Sequence, residues 1–93
     1  MSAILYRRDK VRLDACSFIE IVIWEVMPPV PGSLHGYKYS MAYVVDGVCV
    51  LRYDNERGKG DHKHIGATEI KMHFTTIDTL VDAFFDDVET HRR

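Results

Sequence analysis

Ninety-three residues, 46% of them hydrophobic and 28% charged, are enough for one domain (1–93) with a modest core, and they exclude a disordered chain. A net charge of −2 gives no global basic field, so any nucleic-acid contact has to come from a local patch. The longest apolar run, FIEIVIW, is interrupted by Glu20 and too short to span a bilayer, so a protein without membrane contact is expected. Cys16 and Cys49 lie far apart and form no Cys-x-x-Cys pair. With no secretory leader visible, reduced thiols and a cytoplasmic location are the expectation. Cys49 sits inside an apolar run and reads as a small core residue.

In chain order, AILYRRDKVRL carries apolar residues on both sides of the charged Arg7-Arg8-Asp9-Lys10 centre, which predicts a hairpin or an irregular strand pair. DACS reads as a turn. Phe18 to Val26 is rich in β-branched and aromatic residues and predicts a strand with two largely apolar faces. The three prolines of MPPVPGS then stop ladder pairing. Tyr37 to Val45 resumes the strand pattern. Asp46-Gly47, flanked by valines, predicts a two-residue hairpin turn, because a type I′ turn needs positive φ at both central residues. A regular ladder from that turn would pair Tyr43 with Val50, Met41 with Arg52, Tyr39 with Asp54 and Lys38 with Asn55.

ERGKG is a glycine-rich turn, and DHKHIG opens a further strand. Thr68 to Phe74 alternates polar and apolar residues and predicts another strand. The period then changes. Leu80, Val81, Phe84, Phe85 and Val88 recur at helical spacing, predicting an amphipathic helix over about 76–91 with Thr75 or Thr76 as N-cap and Asp78 in the first turn. The fold class expected is α+β: an antiparallel meander of five or six strands within residues 3–74, closed by that single helix.

The chemistry-bearing stretch is YDNERGKGDHKH. His62 and His64, two apart on a strand, share one face, while Lys63 points away. If ERGKG closes a hairpin, Arg52 and Asp54 return beside them, with Lys59 at the turn. Histidine titrates near neutral pH, a carboxylate such as Asp54 or Asp61 can orient a ring, and a cation can stabilise charge developing at a phosphate. A solvated hairpin with unreactive charges fits the same residues. A metal site made from Asp54, Asp61, His62 and His64 is a weaker reading. A strand His-x-His supplies two ligands and nothing fixes His35 or His73 as a third, so no metal or other cofactor is expected. Arg57 and His62 match the arginine-four-residues-histidine spacing of one group of ribonucleases, but the two intervening glycines argue against the helix that motif needs, and the match is read as chance. His35, Lys38 and Tyr39 form a smaller polar group, which reads as cross-strand pairing at a hairpin end. Exposed, Tyr37 and Tyr39 could stack bases; Tyr43 reads as core. The acidic helix face reads as solvated.

The segments EIVIW, PVPGS followed by His and Lys-Tyr, AYVVDG, LRYDNERGKGDHKH and LVDAFFDDVE together resemble the TumE family, toxins of type II toxin–antitoxin modules, over nearly the whole chain. The resemblance implies a helix-turn-helix antitoxin as partner. It implies RNA as a target only through the habits of toxins in general. Two functions follow. One is a metal-independent ribonuclease with His62, His64, Asp54 and Asp61 as catalytic groups, and Arg52, Lys38, Tyr39, Tyr53, Asn55, Lys59 and Lys63 holding substrate. The other is a non-catalytic module whose polar hairpin contacts a protein or nucleic acid. A symmetric homodimer is a reasonable assembly for so small a domain.

Overall fold

The computed structural model describes residues 2–92. Six strands run in sequence order as an antiparallel sheet: β1 (Ser2–Asp14), β2 (Ser17–Met27), β3 (Tyr37–Val45), β4 (Val48–Glu56), β5 (Gly60–Ile65) and β6 (Thr68–Lys71). The helix α1 (Ile77–His91) follows and lies across one face. This is the α+β meander that the residue periodicities predict. No helix among the described residues is long and apolar enough to cross a membrane.

Strand alternation sorts the side chains onto two faces. On the covered face Ile19, Ile21 and Ile23 of β2 pair with Tyr43, Met41 and Tyr39 of β3, and all six are buried. Leu51 and Tyr53 of β4 continue the layer. The helix adds Ile77, Leu80, Val81, Phe84 and Val88. Each fully buried Ile, Leu or Phe here contributes roughly 1.5–3 kcal/mol relative to exposure. Thr76 caps the helix, its hydroxyl accepting the Thr79 N–H at 3.1 Å. Phe85, placed by its spacing among the core residues, instead turns outward and is exposed, because the buried stripe runs through Phe84 and Val88.

A polar anchor locks the helix to the sheet. The Tyr53 hydroxyl donates to the Asp87 carboxylate, and Lys63 Nζ donates to it at 2.9 Å. The Tyr53 ring meets Phe84 edge-on at 5.4 Å. Burial acts to raise the Asp87 pKa, but the hydrogen bonds from Lys63 and Tyr53 outweigh it and hold the carboxyl below the usual range. Burial and the same bond push the Tyr53 hydroxyl pKa up.

Three sequence expectations change. Residues 2–14 form one continuous strand, not a hairpin. No glycine, proline or asparagine interrupts that stretch, and an edge strand accommodates charge: Arg7 and Asp9 pair at 2.5 Å on one face while Arg8 and Lys10 occupy the other. The strand expected over 68–74 ends at Lys71; Met72 donates its N–H to Asp61 O at 2.9 Å, and Met72 and Phe74 then lean on the core. The third change is the β3–β4 register. Asp46 and Gly47 adopt positive φ, 51° and 77°, as the turn requires, and Val45–Val48 and Val44–Cys49 pair as expected. A bulge then passes over Val50, so Tyr43 faces Leu51, Met41 faces Tyr53, and Ser40 faces Asp54, not Tyr39. Cys49, before the bulge, pairs with Val44, whose β2 neighbour is Phe18 of the open face, and it is exposed, not core.

Where the β3–β4 ladder stops at Ser40–Asp54, the side chain of Asn55 carries it on. Fully buried, Asn55 accepts the Tyr39 N–H at 3.0 Å and donates to Tyr37 O at 2.7 Å and Ser33 Oγ at 3.2 Å. Next to it, Asp61 accepts from Tyr39 OH and from His35 Nε2, each at 2.7 Å. His35 Nδ1 in turn accepts the Tyr37 N–H at 3.1 Å, which fixes the proton on Nε2. Burial and then the Asp61 bond raise the Tyr39 pKa. The proline segment thus lies against the β4–β5 turn, with Gly58 N–H bonded to Pro31 O at 2.6 Å. Gly32 is required at that contact: its φ is +96°, and an added Cβ would stand 3.0 Å from the Gly58 carbonyl carbon.

Two outcomes test these anchors. Replacing Asn55 by leucine strands the Tyr39 N–H and Tyr37 C=O, each worth about 1–3 kcal/mol when buried without a partner. Thermal denaturation is expected to show a Tm fall of roughly 8–16 °C; a fall within about 2–3 °C would dismiss the clamp. The lowered Asp87 pKa contributes stability that is present above the ordinary carboxylate pKa, about 3.9, and is lost as pH falls through the lowered folded value. Asp87→Asn is expected to remove that acid-dependent component, so its Tm should decline less steeply than the parent's below about pH 4.

Candidate functional site

The β4–β5 hairpin positions every residue of the polar stretch. Glu56 pairs with Gly60, and the turn between them uses Gly58 and Gly60 at φ of +81° and +74°. Asp54 then stands opposite His62, and Arg52 opposite His64. Alternation sends these four to the open face of the sheet and sends Tyr53, Asn55, Asp61 and Lys63 to the helix side.

On the open face His62 is the centre. Its side chain is 3% exposed although α1 lies on the other face of the sheet. Nδ1 lies 3.1 Å from Gly60 O, so it carries a proton and donates. Nε2 faces three carboxylates: Asp54 Oδ1 at 2.7 Å, Glu69 Oε1 at 3.6 Å and Glu56 Oε1 at 3.8 Å. The His64 ring crosses the His62 ring edge-on, centroids 4.9 Å apart, and is less deeply buried. Donor atoms of Asp54, Glu56, His62 and His64 all fall within 4.8 Å of one another, the one grouping of metal-ligating type among the described residues.

The remaining open face is basic and aromatic. The registers place Arg8, Lys10 and Arg12 of β1 beside Val22, Glu20 and Phe18 of β2, and Trp24 beside Lys38 of β3. Lys10 Nζ sits 4.6 Å from the centroid of the Phe18 ring. Lys71 of β6 stands beside His62. Asp54, Glu56 and Glu69 gather around His62, and Glu20 stands beside Lys10, while Arg8, Arg12, Lys38 and Arg52 are exposed to solvent.

Of the residues that the sequence points to, His62, His64, Asp54, Arg52 and Lys38 therefore share the open face, and Lys59 sits at the turn, 3.7 Å from Glu56. The other five do not join them. Asp61 is on the opposite face, bound to His35 and Tyr39. Tyr39, Tyr53 and Asn55 are buried at 1–2% exposure, and Lys63 is tied to Asp87. A groove of 530 Å³ opens against His35, Lys59, Asp61, His73 and Phe74. The His35–Asp61 pair at its wall has its bonds spent on the fold. Sequence reasoning does not single out Arg8, Lys10, Arg12 and Trp24, which the registers place on this open face. Their signal is legible all the same: Arg8, Lys10 and Arg12 recur with the period of two that puts strand residues on one face.

A family model described as Toxin TumE matches residues 3–92. No curated protein and no solved structure gives a match. Because the family match spans the sheet, the histidine hairpin and the closing helix alike, the chain belongs to the TumE family of toxins.

Proposed function

We propose that this toxin acts on RNA across the open face of its sheet, as a ribonuclease in the cytoplasm and as one half of a type II toxin–antitoxin module. The observation that carries the reading is the make-up of that face. Arg8, Lys10 and Arg12 of β1 and Lys38 of β3 flank Phe18 and Trp24 of β2, with Glu20 and Val22 between the two rings, and this mixture of cations and aromatic rings suits phosphates and unstacked bases. The track leads to Arg52 and His64. His64 is the ring that meets the substrate. His62 is buried, with one nitrogen held by Gly60 and the other turned to carboxylates, so it supports the site from beneath.

The second reading is a module that binds RNA without cutting it. The shallowness of the face favours it, since the 530 Å³ groove lies against His35 and Asp61 and not on the cationic rows. Either way the family implies an antitoxin, and we infer a helix-turn-helix protein. It would be received along the outer edge of β1, which pairs with no strand among the described residues and exposes Ile4, Leu5 and Tyr6. The same edge would serve a symmetric homodimer, which light scattering on the isolated chain distinguishes.

Single-stranded RNA binding and cleavage by the purified protein test the reading. Arg52→Ala and Lys38→Ala are each expected to weaken binding and to flatten the dependence of log affinity on log salt by about 0.7 for each phosphate no longer held. His64→Ala is expected to abolish cleavage and growth arrest while Tm stays within a few degrees. Binding without turnover would select the non-catalytic module. Binding and cleavage unchanged in all three variants would remove the open face as the site.

A further inference from the structure

We propose that Asp54, Glu56, His62 and His64 form a binding site for a single first-row divalent cation, Zn²⁺ being the ion that suits the donor set. The starting point is the His62 ring. Its Nδ1 carries a proton donated to Gly60 O at 3.1 Å, so Nε2 is the nitrogen left to present a lone pair. A backbone-held N–H behind a free ring nitrogen is the usual support of a metal-binding imidazole. The side chain is 3% exposed, yet Nε2 has no hydrogen-bond partner among the described residues. Asp54 Oδ1 is also buried without one. The two atoms stand 2.7 Å apart but are not aligned for a hydrogen bond between them.

Two buried polar atoms without partners cost stability unless a third body satisfies both. A cation does so. Ligands about 2.0–2.1 Å from a tetrahedral Zn²⁺ stand roughly 3.3 Å from one another. The Nε2 separations, 2.7 Å to Asp54 and 3.8 Å to Glu56, bracket that value, and the His64 nitrogen falls inside the same 4.8 Å envelope. The charge also balances, since two carboxylate ligands offset the two positive charges, while Glu69, 3.6 Å from Nε2, stands ready as an outer partner. Two imidazoles without a thiolate favour Zn²⁺ and its neighbours over Mg²⁺ or Ca²⁺. The inference rests on the cluster alone and stands whether or not RNA is the target.

The test is Zn²⁺ titration of untagged, chelator-stripped protein by calorimetry, with elemental analysis after dialysis and Tm measured with and without the ion. One Zn²⁺ per chain is expected, with Tm raised by the metal. Asp54→Asn and Glu56→Gln should each weaken binding at least tenfold and abolish the Tm gain. Glu56 is about half exposed, so its variant keeps the fold even where a change at His62 does not. His73→Gln, at an exposed site away from the cluster, should bind as the parent does. Binding well below one ion per chain, or binding that both carboxylate variants retain, overturns the proposal. Loss of RNA activity has no part in the readout, so this inference and the RNA reading fail independently.

Discussion

A single extra residue in β4 governs the placement of nearly everything polar in this molecule. The bulge at Val50 shifts the pairing of β3 and β4 by one position, and in a strand one position exchanges the two faces. With the bulge, Leu51, Tyr53 and Asn55 enter the covered layer, and Arg52 and Asp54 go outward. A regular ladder would turn Arg52 and Asp54 into the layer that holds Met41 and Tyr39. The cost of burying those charges without partners far exceeds that of one displaced residue, so the sheet bulges.

The same hairpin is consequently two structures back to back. On the helix side its polar groups are spent on construction. Asn55 replaces missing ladder bonds, Asp61 fastens His35 and Tyr39, and Lys63 with Tyr53 anchors Asp87 of the helix. On the open side the same ladder fixes the backbone, but Asp54 and His62 keep buried atoms without a partner among the described residues, and His64 lies in the same cluster. That division matters for chemistry: a reactive group needs a fixed position and free valence together. The clamp supplies the first and the open face leaves the second.

The glycines also have two duties. Gly58 and Gly60 take the positive φ that the turn demands, as their sequence context indicates. Gly60 has a second role that local sequence does not reveal. A Cβ there would come within 3.0 Å of Gly32 O, so the proline segment reaches the hairpin only because both positions lack side chains.

The amino-acid sequence alone determined the order and type of the elements, because alternation with period two and the later change to helical spacing are written into the polarity of neighbouring residues. It also determined that Arg52, Asp54, His62 and His64 share a face, since the glycine-rich turn and the strand period suffice for that. It carried the family membership as well, through motifs spread along the chain. Only the tertiary structure decided which face that was. The bulge is a response to packing against β3 and the helix, and a local window does not contain those partners. For the same reason Asp61, two residues before Lys63 and one before His62, looks in sequence like part of the reactive group. Its partners His35 and Tyr39 lie more than twenty positions away, and distant contacts, not neighbouring letters, fixed its role.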